Sequence, residues 1–230
     1  SKRNGDASFN DLVKKGYLPE AILNYITLLG WAPPTEEEIY SLEELVKVFT
    51  IDRISKSPAI FDIEKLRWMN GVYIRNKSLE EFNDIAKKYY SEWILNNLDI
   101  LELSKTIQNR TEVLTDIPEM IDFFEKLPEY DNELYINKKM KTDLEISKTA
   151  LDISYKELSA FDKWNNFDEL HNFLLSLAEK YEMKNGQILW PIRVALSGKL
   201  KTPGGAVEIA YLLGKDESLR RIEKGIVKVS

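Results

Sequence analysis

The sequence has no cysteine, which removes disulfide frameworks, thiolate-held metals and cysteine nucleophiles together and points to a reducing compartment. It has one histidine, His171, so Ser/His/Asp triads and H-E-x-x-H metal sites are excluded as well. No run approaches the roughly 18 consecutive apolar residues of a membrane span. Ser1-Lys2-Arg3-Asn4-Gly5-Asp6 also lacks the apolar stretch of a signal peptide, so a cytoplasmic protein without a membrane partner is expected. Glycine and proline are sparse, ten and eight among 230 residues, while 43% of residues are hydrophobic and 30% charged; this composition folds, and it is neither disordered nor of low complexity. The chain opens on Ser rather than Met and on a basic pair, and is expected to begin inside a longer protein. A free-standing enzyme would need a nucleophile, a metal set or an acid/base pair. Adjacent carboxylates such as Glu43 and Glu44 point different ways on a helix and form a solvated face.

What is present is mostly amphipathic helix. Pro19 suits a first helical position, Ile22, Tyr25, Ile26 and Leu29 share a face, and Gly30 is expected to end that helix in a left-handed conformation before the Trp31-Ala32-Pro33-Pro34-Thr35 linker. Ser41 with Glu44 and Ser78 with Glu81 have capping-box spacing. Between them, Val46-Lys47-Val48-Phe49-Thr50-Ile51 reads as a brief strand, Ser57-Pro58 discourages helix, and Ile63, Leu66 and Asn70 resume helical periodicity. Thr115 and Pro118 punctuate the middle. Ile146, Ala150 and Ile153 form one stripe, and Leu170, Phe173, Leu174, Leu177 and Tyr181 form another, for which Asn185-Gly186 reads as the stop. Gly214 is expected to end a helix that starts after Gly204-Gly205. The fold class is therefore mainly α, with no repeat of fixed period.

Charge is uneven. Residues 76–142 carry 9 basic and 14 acidic side chains, and hold nearly all of the net charge of −6. Between Glu182 and Glu208 no acid occurs, whereas Lys184, Arg193, Lys199 and Lys201 are interspersed with Trp190, Asn185, Gln187, Ser197 and Thr202. Cations for phosphates, an aromatic plane for stacking, amides and hydroxyls for base edges, and glycines permitting close approach are the ingredients of RNA contact. The same residues also fit an ordinary role, with Trp190 anchoring a core and the lysines ending a helix. His171 lies one position off its apolar stripe and receives no role.

Ser1-Lys2-Arg3-Asn4-Gly5-Asp6-Ala7-Ser8, Gly16-Tyr17-Leu18-Pro19-Glu20-Ala21-Ile22-Leu23-Asn24-Tyr25, Leu28-Leu29-Gly30-Trp31 and Ser57-Pro58-Ala59-Ile60-Phe61-Asp62-Ile63-Glu64-Lys65-Leu66 resemble the segment of bacterial glutamyl-tRNA synthetases that follows their lysine-rich ATP-site signature. Arg193-Val194-Ala195-Leu196-Ser197-Gly198 and Ala210-Tyr211-Leu212-Leu213-Gly214-Lys215 resemble that family's anticodon-binding region. The resemblance implies a non-catalytic part of a class I enzyme that joins glutamate to tRNA(Glu) with ATP, with no catalytic residue and no metal of its own, inactive without the amino-terminal Rossmann-like domain that it would meet in cis. It implies a small helical stem-contact domain over 1–75 with a short strand or two, then helical bundles over 76–142 and 143–230, in a monomer. Lys2 would be the cation of the ATP-site loop. Arg193 and Thr202 would touch anticodon bases, Pro203 and Gly204 would shape the loop, Lys199 and Lys201 would hold phosphates, and Arg110 would contribute at the first anticodon base. Gly205 departs from the pattern, standing where the family often has a bulky apolar residue. The rival expectation is a helical protein-interaction module without RNA affinity, favoured by the acidic middle bundle.

Overall fold

In a computed structural model the described residues are 8–55 and 60–230; Lys2, Arg3 and the Ser57-Pro58 punctuation lie outside them. Helix is the dominant structure of the described residues, joined by turns and loops. Its only β pairing is two isolated bridges, Trp31 to Ile54 and Asn137 to Thr142. None of the described helices is long and apolar enough to cross a membrane. The chain divides into two compact units: one runs up to Tyr90 and adds Ile107–Pro118, the other comprises Ser91–Thr106 and Glu119–Ser230.

In the first unit, α1 (Phe9–Lys14) and α3 (Leu42–Val48) each start with a serine whose hydroxyl accepts from the third backbone N–H while the acid there reaches back: Ser8 with Asp11 and Ser41 with Glu44. The Ser78–Glu81 pair does the same for α5 (Leu79–Ala86). Both boxes expected from spacing therefore form. Helix α2 (Pro19–Gly30) begins at its proline, but Gly30 stays inside the helix and has no positive φ. The chain leaves instead through extended Trp31, whose buried indole donates to the Thr50 carbonyl and takes over the task of turning it. Nor is Val46–Ile51 a strand. Val46 and Val48 end α3, and Ile51–Arg53 form a 3-10 turn. The β-branched pattern loses to the cap at Ser41 and to Leu45, which is buried with Trp31 and Tyr40 only on a helical period. Helix α4 (Ile63–Asn76), capped by Asp62, packs on α2 through Ile22, Tyr25, Leu66 and Met69. Buried Asn70 joins segments distant in sequence: its Oδ1 accepts from the Leu18 amide at 2.8 Å and its Nδ2 donates to the Glu112 carbonyl at 2.5 Å.

The second unit contains α6 (Glu92–Asn97), most of α7 (Ile100–Gln108) and α8 (Ile117–Glu125), then α9 (Leu144–Ala160), α10 (Phe167–Lys180), α11 (Asn185–Ser197) and α12 (Ala206–Val229). Helices α9, α11 and α12 pack on one another, and α10 covers α11 and α12. Ala150, Leu158, Leu174, Ile192 and Ile222 are among the wholly buried side chains there. On α10 the expected stripe faces the core through Leu170, Leu174 and Leu177, with Phe173 and Tyr181 half-buried. On α9 only Ala150 of the expected stripe is buried, Ile146 and Ile153 being half-exposed, and the buried face runs instead through Ser147, Ala150, Leu151, Ser154 and Leu158. The Asn185-Gly186 stop does not exist: α10 ends at Lys180, Glu182 supplies the reversal with φ +53, and Asn185 and Gly186 open α11. Gly186 suits that place because Met140 lies against it, 3.0 Å from where a Cβ would stand. Gly214 breaks α12 as expected, at φ +74 and ψ 175.

Candidate nucleic-acid interface

All of the site residues expected near the carboxyl end lie in the second unit, on α11 and the 198–205 loop that joins it to α12. Helix α11 stops at Gly198, whose φ of +62 is left-handed and whose N–H donates to the Val194 carbonyl at 2.7 Å. A Cβ there would stand 2.7 Å from Tyr130 Cδ1 and 3.0 Å from Pro128 Cγ, so only glycine lets the loop turn this tightly.

Arg193 clasps that loop from the last turns of α11. Its Nη1 donates to Thr202 Oγ1 at 2.7 Å and its Nη2 to the Leu200 carbonyl at 2.9 Å. The guanidinium lies 4.3 Å over the Trp190 ring, and the indole N–H donates to the Leu134 carbonyl at 2.9 Å. Trp190 is thus a half-buried bracket for the cation rather than an open stacking plane. Burial lowers the Arg193 pKa, yet a guanidinium stays charged. Thr202 Oγ1 passes the network on by donating to the Gly204 carbonyl at 2.7 Å. Gly205 then starts α12, its amide held by Glu208 Oε2 at 2.9 Å.

The cations of the acid-free segment do not form one patch. Lys199 Nζ donates to the Glu119 carbonyl at 2.6 Å, pairs with Asp122 and sits 5.8 Å over the Phe123 ring, so its charge is committed to α8. Lys201 is exposed and has no ion pair or hydrogen bond among the described residues, and beside it Leu200 is 58% exposed. Lys184 stands before the other end of α11, about 20 Å from the loop at 1.5 Å per residue over a 13-residue helix. Gln187 and Ser197 are also spent internally, the first on Lys184 and Lys141, the second on the Arg193 carbonyl. Asn185 is exposed in the first turn of α11. Pro203 and Gly204 are half-buried within the loop. Arg110 belongs to the first unit; it is exposed just after α7, its backbone N–H donating to the Ile107 carbonyl. The geometry therefore offers a loop braced by its own hydrogen bonds, with one free cation and one bare apolar side chain.

Arg221 went unnoticed in the sequence. It is 1% exposed, and its guanidinium donates to the carbonyls of Phe123 at 2.7 Å, Phe124 at 3.0 Å and Leu196 at 2.6 Å, and to Glu217 Oε1 at 2.6 Å. These carbonyls lie in the last turns of α8 and α11, where the carbonyls of a helix lack N–H donors of its own and carry partial negative charge. The available signal was an arginine falling on the Ser218, Ile222, Gly225, Val229 face of α12, all buried.

Residues 76–226 match the family described as anticodon binding domain, a span that holds Arg110, α11 and the whole 198–205 loop. The chain belongs to the anticodon-binding domain family. Residues 1–68 match the family described as tRNA synthetases class I (E and Q), catalytic domain. Among curated relatives, the glutamate–tRNA ligase of Clostridium tetani is 54% identical over 229 residues and that of Clostridium kluyveri 53%; each match takes in all of this chain and 47% of the relative. The chain thus spans about half the length of the relatives it matches. Among solved structures, a glutamate tRNA ligase from Elizabethkingia meningosepticum, described as in complex with its amino acid, superposes with a TM-score of 0.76 at 26% identity, over all of this chain and 45% of that one. The glutamate-tRNA synthetase of Elizabethkingia anophelis gives 0.74 at 27%, over 99% and 44%. The mainly α reading and the family resemblance both stand.

Proposed function

We propose that this chain is the tRNA-holding part of a cytoplasmic, monomeric glutamate–tRNA ligase, which joins glutamate to tRNA(Glu) with ATP through a catalytic domain in cis. The observation that carries this reading is the anticodon-binding family match over 76–226, which coincides with the preformed 198–205 loop. Residues 1–75 would contact the stem, and 76–142 and 143–230 the anticodon arm. Lys2, the residue assigned to ATP by resemblance, lies outside the described residues, and no described residue is assigned to ATP.

In this reading the chain does no bond chemistry. It spends binding energy remote from the reaction on placing the acceptor end. Thr202, Pro203 and Gly204 present the rim against which unpaired bases are read, Arg193 touches a base with the edge that its clasp leaves over, Lys201 and Lys199 hold phosphates, and Arg110 contributes from the first unit. Lys199 would have to share its charge between Asp122 and the RNA, so Lys201 is the stronger of the two.

The test is filter retention of tRNA(Glu) by this chain across a salt series. Arg193→Ala should weaken the cognate tRNA more than one with an altered anticodon, because Thr202 and Leu200 lose their clasp. Lys201→Ala should weaken both alike. Failure to retain total tRNA at low salt at any concentration would refute the reading in favour of a protein-interaction module.

A further inference from the structure

The other end of α11 carries a second basic feature that tertiary contact alone assembles. Residues 137–142 form a tight turn closed by the Asn137–Thr142 bridge, with Asn137 Oδ1 accepting from the amides of Lys139 at 3.0 Å and Met140 at 3.1 Å. This turn packs on the first turn of α11. The Gln187 amide clamps the two together: its Oε1 accepts from the Lys184 amide at 2.9 Å and its Nε2 donates to the Lys141 carbonyl at 3.1 Å. One planar amide thus sets the backbones of Lys141 and Lys184 side by side, with Met140 against Gly186 sealing the contact.

Lys138, Lys139, Lys141 and Lys184 are all exposed, and none has a carboxylate partner among the described residues. The acids nearest along the chain are Glu133, Asp143, which caps α9 at the Ile146 amide, Glu145 and Glu182, and Glu179 lines the same hollow as Lys184; none of them forms an ion pair with the four lysines. Elsewhere in this acidic protein eight described lysines pair with a carboxylate, as Lys180 does with Glu157 and Lys163 with Glu169. Here four lysines without an ion pair stand on the 138–141 turn and just before α11, at the positive end of a 13-residue helix. Lys141 moreover lowers the Lys184 pKa, through a side-chain hydrogen bond and like-charge repulsion, as expected of cations crowded without an anion.

We propose that Lys138, Lys139, Lys141 and Lys184 form a binding site for the phosphodiester backbone of RNA, about 20 Å along α11 from the 198–205 loop. The site rests on the reading of this chain as a tRNA-holding one, and it completes that reading. The loop at one end of α11 reads unpaired bases, and the lysine cluster at the other end holds phosphates of the same RNA without regard to sequence. Lysine suits this role, being a flexible point charge that follows a backbone rather than a base edge. With a helix this long between the two sites, the RNA that engages both must extend well beyond one trinucleotide.

The experiment compares this chain with the Lys138→Gln, Lys139→Gln, Lys141→Gln, Lys184→Gln quadruple variant in tRNA(Glu) binding at several salt concentrations. A Lys156→Gln, Lys224→Gln variant, in exposed lysines of α9 and α12, serves as the charge control. The quadruple variant should bind about tenfold or more weakly near 100 mM salt, with the slope of log affinity against log salt reduced by about 2–3. The loss should be equal for cognate and altered anticodons, and greater per charge removed than in the control. An unchanged slope and affinity, with Arg193→Ala still weakening the cognate tRNA, would overturn the lysine site while leaving the proposed function intact. A loss confined to the cognate anticodon, or equal per charge to the control, would also overturn it. No retention of tRNA by the unmodified chain would overturn both.

Discussion

Arg221→Met is the substitution on which the packing argument can be judged most sharply. Methionine keeps most of the volume of the arginine stem and removes every donor. The Phe123, Phe124 and Leu196 carbonyls then lose a charged partner in a place that is 1% exposed, and two helix ends with partial negative charge are left facing each other. Glu217 loses less, because Arg220 Nε and Nη2 hold both of its oxygens at 2.6 Å. Each orphaned buried acceptor costs about 1–3 kcal/mol, offset by the desolvation that the guanidinium no longer suffers; breaking one side of a buried charged network costs about 3–5 kcal/mol in total. For a domain of this size that is a fall in the melting temperature of about 6–20 °C, read by calorimetry and by urea unfolding at neutral pH. Arg221→Lys should recover less than half of the loss, since one ammonium cannot address four acceptors spread around a planar fork. A loss below about 1 kcal/mol for Arg221→Met, with native circular dichroism, would refute the claim that this cation ties α8 and α11 to α12.

The acid limb of stability should carry the mark of Glu217. Hydrogen bonds from Arg220, then Arg221, hold its carboxyl at about 2, below the ordinary 4.5, so its contribution is complete above about pH 4.5 and drains away as pH falls toward about 2; Glu217→Gln should flatten the stability profile across that window and leave its shape above pH 5 unchanged, as seen by urea midpoints against pH. Gly198→Ala should lose about 1–3 kcal/mol in denaturant unfolding, because its φ of +62 strains an L residue and the added methyl meets Tyr130 and Pro128. Midpoints equal to those of the unsubstituted chain would show that the turn relaxes more cheaply than its contacts indicate.

Local devices were legible in the sequence because their physics is local. The Ser41–Glu44 and Ser78–Glu81 boxes, the proline start of α2, the stripe of α10 and the break at Gly214 each depend on residues within about two turns of one another. Where a local signal competed with burial, burial won. Val46–Val48 look β-forming yet finish α3, because Leu45 must reach Trp31 and Tyr40, and Asn185-Gly186 look like a stop yet open α11 against Met140.

The amino-acid sequence by itself determined the helical class, the family and the position of the acid-free segment, since composition, period and motif survive in one dimension. Only the tertiary structure decided what each cation there is for. Whether a cation is free, paired or crowded depends on partners far along the chain: Asp122 for Lys199, Lys141 for Lys184 and, outside that segment, three carbonyls from α8 and α11 for Arg221. A charge acts over a few ångströms of space, and the fold, not the order of residues, sets those distances.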